Sequence, residues 1–173
     1  MRCFMRTGGS FQFDEVDYEL VLSHTWSIVK GYVRTVINNK TVYFHRLIMN
    51  VDADEIDHIN MDRLDNRRCN LRRASHSENQ RNRGVHKDNQ SGYKGVCLEK
   101  RTGRYFSYIN CDGKRKYLGT YNTKEEAAAA YDQAAFFLHK KFARTNFGKE
   151  DLNEGKEEIL ELAESGRAGR PCA

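Results

Sequence analysis

The chain has 173 residues, with 29 Lys and Arg against 24 Asp and Glu, and hydrophobic residues make up only 39% of it. This composition disfavours one large buried core and favours two or three small ones. No apolar run approaches the roughly 20 residues of a membrane-spanning helix, and the first residues lack the apolar stretch of a secretory signal. We therefore expect neither a membrane protein nor a secreted one.

The charge is unevenly distributed along the chain. Residues 57–147 carry 19 Lys and Arg against 10 Asp and Glu, a net charge of +9, whereas both ends are mildly acidic. Such an asymmetry indicates a polyanionic partner. The five cysteines are odd in number and contain no C-x-x-C pair, which disfavours a disulfide framework or a structural zinc site.

The first half of the chain predicts β-structure followed by a short helix. Residues 31–37 and 41–48 are rich in β-branched and aromatic residues, and the Asn-Asn-Lys between them favours a tight turn. Two further short strands are predicted at 55–59 and 71–74, joined by a long loop. Ser75-x-x-Glu78 matches a capping box, which predicts a helix from His76 to about Gly84.

The second half predicts a three-stranded antiparallel sheet packed on one helix. Its strands are expected at 93–98, 104–111 and 114–118, with Asp112-Gly113 as the hairpin turn. Thr123-x-x-Glu126 is another capping box, and it opens an Ala-rich helix to about Leu138. Within 104–111, Arg104, Phe106, Tyr108 and Asn110 alternate with residues suited to face that helix.

A first group of polar residues suggests phosphodiester chemistry. A strand, long loop, strand and helix can bring Asp57 and Asn79 around one cation, with His58 beside them. A neutral imidazole can take a proton from water, and a hard cation with open positions can stabilise the charge that develops on a phosphate. His76, three residues before Asn79, is the alternative second ligand.

This first group resembles the HNH endonucleases, a ββα-metal family, and most closely their phage homing-type branch. The matching words are His45-Arg-Leu-Ile48, Asp57-His-Ile-Asn-Met-Asp-Arg-Leu-Asp-Asn66, Asn70-Leu-Arg72 and Ser77-Glu-Asn-Gln80. The resemblance implies that His58 is the general base and that Asn70 orients it. It also implies that Asp57 and Asn79 hold one Mg²⁺ or Mn²⁺ per active site.

Residues 91–147 resemble the ethylene-response-factor, or APETALA-type, DNA-binding domain of plants. The matching words are Tyr93-Lys-Gly-Val96, Tyr117-Leu-Gly-Thr-Tyr121, Thr123-Lys-Glu-Glu-Ala-Ala128, Ala130-Tyr-Asp-Gln-Ala-Ala135 and Ala143-Arg-Thr-Asn-Phe147. The resemblance implies a sheet that lies in the major groove. Cys97 and Glu99 depart from it, because the plant proteins usually carry Arg there.

Both resemblances imply DNA contacts. In the sheet they are Lys94, Arg104, Tyr108, Asn110, Arg115 and Tyr117. Around the first group, Arg72, Arg81 and Arg83 fit phosphate contacts.

Together these observations predict an α+β protein with four parts. They are a β-rich support with an HNH core at 1–83 (catalytic part 45–83), a basic linker at 84–92, the DNA-binding domain at 93–147, and an acidic helix with a loose tail at 148–173. The predicted function is a metal-dependent, site-selective DNA endonuclease of phage or bacterial origin in the bacterial cytoplasm. We expect a monomer on double-stranded DNA, with a dimer as the alternative. The rival functions are a DNA-binding regulator with an inactive nuclease core and a restriction-type defence nuclease.

Overall fold

The computed structural model describes residues 1–5, 8–51 and 54–148. The chain divides into two compact units, Met1–Asn82 and Arg83–Ala173. Apart from Gly148, the predicted acidic helix and tail lie outside the described residues. In the described part, every helix is too short or too polar to cross a membrane.

The first unit is a succession of small antiparallel sheets and short helices. Its elements are β1 (Arg2–Phe4), β2 (Ser10–Gln12), α1 (Tyr18–Leu22), β3 (Ser27–Val29), β4 (Tyr32–Ile37), β5 (Lys40–Tyr43), α2 (Phe44–Met49), β6 (Glu55–His58), β7 (Leu71–Ala74) and α3 (His76–Arg81). The sheets pair β1 with β2, β3 with β4 and β5, and β6 with β7.

The β4–β5 hairpin forms where the sequence predicts it. Asn38 and Asn39 adopt positive φ angles of 50° and 61°, which suit a two-residue turn. The predicted second strand, however, is wrong beyond Tyr43, because residues 44–49 form α2. Phe44 and Ile48 lie one helical turn apart and are both buried, so helical spacing determines this segment despite its β-branched and aromatic composition.

An aromatic cluster forms the core of the first unit. Phe11, Phe13, Trp26 and Phe44 are all at most 6% exposed. The Trp26 and Phe44 rings lie 4.9 Å apart at 83°, and the Phe11 and Phe44 rings lie 5.2 Å apart at 62°. These edge-to-face contacts join β2, α2 and the segment before β3. Trp26 is the single tryptophan of the chain.

The second unit confirms the predicted three-stranded antiparallel sheet packed on one helix. Its elements are β8 (Val96–Glu99), β9 (Arg104–Cys111), β10 (Lys114–Tyr121) and α4 (Lys124–His139). The sheet order is β10-β9-β8, and α4 packs against all three strands. Four alanines of α4 are completely buried, namely Ala127, Ala128, Ala134 and Ala135.

Turns and irregularities determine where the strands of this sheet begin and end. Asp112 and Gly113 have φ angles of 52° and 73° and form the predicted hairpin turn. The third strand continues to Tyr121, beyond the predicted end at Leu118, because a β-bulge between Tyr117 and Gly119 preserves the pairing. The first strand begins only at Val96, since Gly95 has a φ of 75°.

Gly95 allows the helix to lie close to the sheet. A Cβ on this residue would lie 2.0 Å from Cδ2 of Tyr131 on α4 and 2.8 Å from the backbone oxygen of Tyr108 on β9. Neither atom can move away without an energetic cost, because the Tyr131 ring is buried and the Tyr108 oxygen belongs to the backbone of a strand. The position therefore needs glycine for both space and backbone conformation.

We predict that Gly95→Ala lowers the free energy of unfolding of the second unit by about 3 kcal/mol or more, since overlap adds to left-handed backbone strain. Urea unfolding followed by far-ultraviolet circular dichroism measures this loss. Gly103→Ala is the matched control: its φ is 70°, but nothing lies within 4 Å of the added Cβ. It should lose only about 1 kcal/mol. Equal losses for the two variants would contradict the explanation by close packing.

Candidate nucleic-acid interface

In the predicted nuclease group, Asp57 and His58 lie on β6, Asn70 ends the loop before β7, and Asn79 lies on α3. Asp57 pairs across the strands with Arg72, and His58 with Leu71. Ser75 and Glu78 form the capping box that begins α3, and the helix ends at Arg81, three residues before the predicted end. Asp57 and His58 are both buried.

The Asp57 carboxylate is surrounded by hydrogen-bond donors. Arg72 donates from Nε and Nη2 to Oδ2 at 2.8 and 2.6 Å, and Asn82 donates from Nδ2 to Oδ1 at 2.9 Å. Only 15% of the Arg72 side chain is exposed. The guanidinium therefore compensates the buried carboxylate, and we leave Arg72 out of the proposed DNA contacts.

His58 is buried in an aromatic and imidazole environment. Its Nε2 lies 3.2 Å from Oδ1 of Asn66, and its ring centroid lies 5.2 Å from that of His45. Burial lowers the pKa of His58, although Asn66 and Asp57 oppose the shift. Burial and the nearby His58 and Arg46 lower the pKa of His45 to about 3. Both imidazoles are therefore neutral at neutral pH.

The two remaining residues of the predicted nuclease group serve different structural contacts. Asn70 braces the loop between β6 and β7, because its Oδ1 accepts from Asn60 N at 3.0 Å and its Nδ2 donates to Asp65 O at 2.8 Å. Asn79 donates from Nδ2 to Oε2 of Glu55 at 2.5 Å, and His76 Nδ1 lies 2.7 Å from Oε1 of the same carboxylate. Both candidates for the second metal ligand thus hydrogen-bond Glu55.

The predicted Mg²⁺ or Mn²⁺ centre is wrong. Across residues 1–5, 8–51 and 54–148, no three His, Cys, Asp or Glu side chains come together as a group that could hold a metal ion. Instead, Asp57 has a cationic side chain and an amide on its two oxygens. Sequence reasoning missed Arg72 and Asn82 as the partners of Asp57, because only the strand register and the end of α3 bring them to it.

The outer face of the second unit's sheet carries the polar and aromatic residues that the alternation predicts. Ser107, Ile109 and Cys111 of β9 are buried on the inner side, whereas Arg104 and Asn110 are exposed. The register forms outward rows across the strands. They are Glu99 with Arg104, Cys97 with Phe106 and Thr120, Tyr108 with Tyr117, and Asn110 with Arg115.

Contacts on this outer face hold several of its side chains. The Arg115 guanidinium carbon lies 4.2 Å from the centroid of the Tyr108 ring. The Tyr117 hydroxyl hydrogen-bonds Oγ1 of Thr120, across the bulge of β10. Arg104 donates from Nη2 to the backbone oxygen of Thr120 at 3.3 Å. The face thus combines cationic donors, an exposed carboxamide and aromatic rings.

Lys94, also predicted to contact DNA, lies before β8. Its Nζ donates to the Arg83 oxygen at 2.5 Å, and burial lowers its pKa to about 8, with Arg144 contributing. Its backbone is tied to Asn146, which accepts from Lys94 N at 2.7 Å and donates to Lys94 O at 3.1 Å. Arg83 is exposed and Arg81 is half-buried.

A buried aspartate that the sequence reasoning did not single out ties α4 to the segment after it. Asp132 is 0% exposed and accepts from the backbone N–H groups of Asn146 and Phe147 at 2.7 and 2.8 Å. It also accepts from Nδ2 of Asn146 at 3.0 Å. Burial raises the Asp132 pKa, and these hydrogen bonds oppose that shift. Through Asn146 and its bonds to Lys94, Asp132 holds the beginning of the sheet.

Comparison with known proteins identifies the second unit's domain. Residues 91–141 match the AP2 domain. The chain is 41% identical over 80 residues to the AP2-like ethylene-responsive transcription factor TOE2 of Arabidopsis thaliana, covering 42% of this chain and 16% of that protein. It is 49% identical over 59 residues to the ethylene-responsive transcription factor WRI1 of the same plant, covering 33% and 14%. The chain therefore spans only a small part of these relatives.

These findings confirm the resemblance of the sheet-and-helix unit to the plant DNA-binding domain and overturn the predicted enzyme. The relatives are transcription factors, which are not enzymes, so the prediction of a metal-dependent endonuclease is wrong. The resemblance of residues 45–80 to HNH nucleases receives no support from them. The predicted phage or bacterial origin and cytoplasmic location are also wrong, because the relatives are plant proteins.

We predict that Arg72→Ala lowers the free energy of unfolding of the first unit by about 3 kcal/mol, since it leaves the buried Asp57 carboxylate without its cation. Urea unfolding followed by Trp26 fluorescence measures the change in this unit. Arg73→Ala is the matched control, because Arg73 is the next residue of β7 and is exposed; it should change stability by less than about 0.5 kcal/mol. A small loss for Arg72→Ala would contradict the assigned role.

We predict that acid destabilises the first unit through His45. The pKa of His45 in the folded state is about 3, below the ordinary 6.5. The contribution of neutral His45 to the free energy of unfolding is therefore complete above pH 6.5 and is lost as the pH falls towards 3. The slope is at most about 1.4 kcal/mol per pH unit for this histidine. Trp26 fluorescence in urea at several pH values measures it. His45→Gln should flatten the profile below pH 6.5 and leave its shape above pH 7 unchanged; an unaltered acid slope would refute the prediction.

Proposed function

We propose that this chain is a site-specific DNA-binding regulator whose AP2 domain places the outer face of β8–β10 in the major groove of double-stranded DNA. The match of residues 91–141 to the AP2 domain carries the proposal. The similar proteins are named as transcription factors, and the chain covers only part of their length. The regulatory role is therefore inferred through the domain.

The dimensions of the sheet support major-groove binding. Three strands spaced about 4.8 Å apart are about 10 Å across, and the major groove is about 12 Å wide. Helix α4 packs on the opposite side of the sheet, and it is the only α-helix among the described residues 83–148. The sheet can therefore approach the base edges while the helix remains outside the groove.

The charge and side chains of the face also support the proposal. Arg104 and Arg115 are exposed cations on neighbouring strands, suited to phosphate and base contacts. Tyr108 and Tyr117 form a cross-strand row between them and supply flat, amphipathic surfaces. We also propose that Asn110, on the same face, contacts DNA, and that Arg81, Arg83 and Lys94 contact the phosphate backbone of the DNA. To bind a phosphate, Lys94 would have to give up its hydrogen bond to the backbone oxygen of Arg83.

Selection from a library of randomised duplexes, using the full 173-residue chain, tests the proposal. The expected result is one enriched motif, bound roughly 10³-fold more tightly than a shuffled duplex at physiological salt. A reporter gene carrying that motif near its promoter should change its expression when the chain is supplied. Equal affinity for every duplex would refute site-specific binding, and an unresponsive reporter would refute regulation.

We also propose that one chain occupies one site. The domain presents a single outer face, and a monomer needs no repeated half-site. Titration of the enriched duplex, followed by sedimentation velocity, should give a one-to-one complex. An enriched motif with two-fold symmetry and a two-to-one complex would contradict this proposal.

We predict that Arg104→Ala weakens binding to specific and shuffled duplexes by a similar factor and lowers the slope of log affinity against log salt by about 1, because it removes one phosphate contact. Fluorescence anisotropy between 50 and roughly 200 mM salt measures the slope. The matched control is Lys124→Ala, an exposed cation of α4 on the other side of the sheet. Its slope should equal that of the unmodified chain, and an unchanged slope for Arg104→Ala would contradict the assignment.

A further inference from the structure

The cross-strand pair Asn110 and Arg115 is placed to distinguish bases. These residues lie directly opposite each other on β9 and β10, one pair away from the Asp112-Gly113 turn. Both are exposed, and both lie on the outer face of the sheet. Their Cα atoms are expected about 5 Å apart, because they face each other in an antiparallel ladder.

Tyr108 holds the guanidinium of Arg115. The Arg115 Cζ lies 4.2 Å from the centroid of the Tyr108 ring, within the range of a cation–π contact. The Phe106 ring, two residues earlier on β9, lies 6.4 Å from the Tyr108 ring, centroid to centroid. The long arginine side chain is thus ordered before any ligand arrives, which reduces the entropy that binding must overcome.

The two side chains have complementary base preferences. Arginine donates two hydrogen bonds to O6 and N7 of guanine, whereas the carboxamide of asparagine pairs with N6 and N7 of adenine. Stacked bases are about 3.4 Å apart along the helix, so two side chains about 5 Å apart reach neighbouring base pairs.

We propose that Arg115 reads a guanine and Asn110 reads an adenine at the adjacent base pair, with Tyr108 as the residue that positions Arg115. This inference rests on the proposed function and specifies the DNA that the same face selects. Arg104, the other outward arginine of β9 and β10, lies opposite Glu99, whereas Arg115 lies opposite the carboxamide of Asn110.

The first test uses the unmodified full chain. The motif enriched from randomised duplexes should contain a guanine next to an adenine. Replacing that guanine by 7-deazaguanine, or the adenine by 7-deazaadenine, removes one N7 acceptor and should weaken binding about ten-fold or more. A motif without this step, or affinity that is insensitive to both replacements, overturns the inference.

The second test exchanges the specificity. Asn110→Ala should abolish the preference for adenine at its position and leave the preference for guanine intact. Asn110→Arg should change the preferred base there from adenine to guanine. Asn122→Ala is the matched control, because Asn122 is an exposed asparagine that follows β10 and lies outside the sheet; it should keep the original motif. A uniform loss of affinity for every duplex with Asn110→Ala would overturn the assignment.

The third test separates the positioning role of Tyr108 from a general structural one. Tyr108→Phe keeps the ring beneath Arg115 and should retain the guanine preference, whereas Tyr108→Ala should reduce discrimination at the guanine about ten-fold and spare discrimination at the adenine. Equal loss at both bases would show that Tyr108 acts on the whole face and would overturn its role.

Failure of this inference can be distinguished from failure of the proposed function. If the unmodified chain enriches no motif, site-specific DNA binding itself is refuted, and the base assignments are refuted with it. If it enriches a motif that the Asn110 and Tyr108 variants leave unchanged, the regulator stands and only these base assignments fall. Thermal unfolding of each variant, followed by circular dichroism, tests whether the substitution leaves the fold intact.

Discussion

The close approach of α4 to the sheet is the constraint on which the DNA-binding unit depends. Four alanines without exposed surface allow the approach, and Gly95 leaves room for the Tyr131 ring. Asp132 then anchors the segment after the helix to the beginning of the sheet through Asn146. Because the helix packs against one side of all three strands, the other side can carry polar and aromatic residues without loss of the core.

Local sequence signals predicted all four elements of the second unit and half of those in the first, where β1, β2, α1, β3 and α2 were not predicted. Capping boxes at Ser75 and Thr123 located the starts of α3 and α4, and the Asp112-Gly113 pair located the hairpin. Period-two alternation in β9 also separated its inner from its outer residues. The failures were at irregular positions: composition favoured a strand over 44–48, where burial at helical spacing produced α2, and the bulge in β10 has no short-range sequence signal.

The nuclease prediction failed because residue types do not reveal their partners. Asp57, His58, Asn70 and Asn79 follow the expected order along strand, loop, strand and helix. The structure, however, places the Arg72 guanidinium on Asp57 and turns Asn79 to Glu55. The negative charge of a buried aspartate can be compensated by an arginine or by a metal ion. Only the register between the strands determines which of the two lies next to the carboxylate. By contrast, the face of the sheet could be predicted, because alternation alone places its residues.

The bulge between Tyr117 and Gly119 reverses which residues of β10 point outward. Before it, Arg115 and Tyr117 share the outer face; after it, Thr120 does, although it is an odd number of positions further along the chain. Strict alternation therefore breaks within a single strand. Any attempt to graft a new recognition surface onto this strand must keep the extra residue, because that residue is Leu118, whose side chain is buried in the core of the unit.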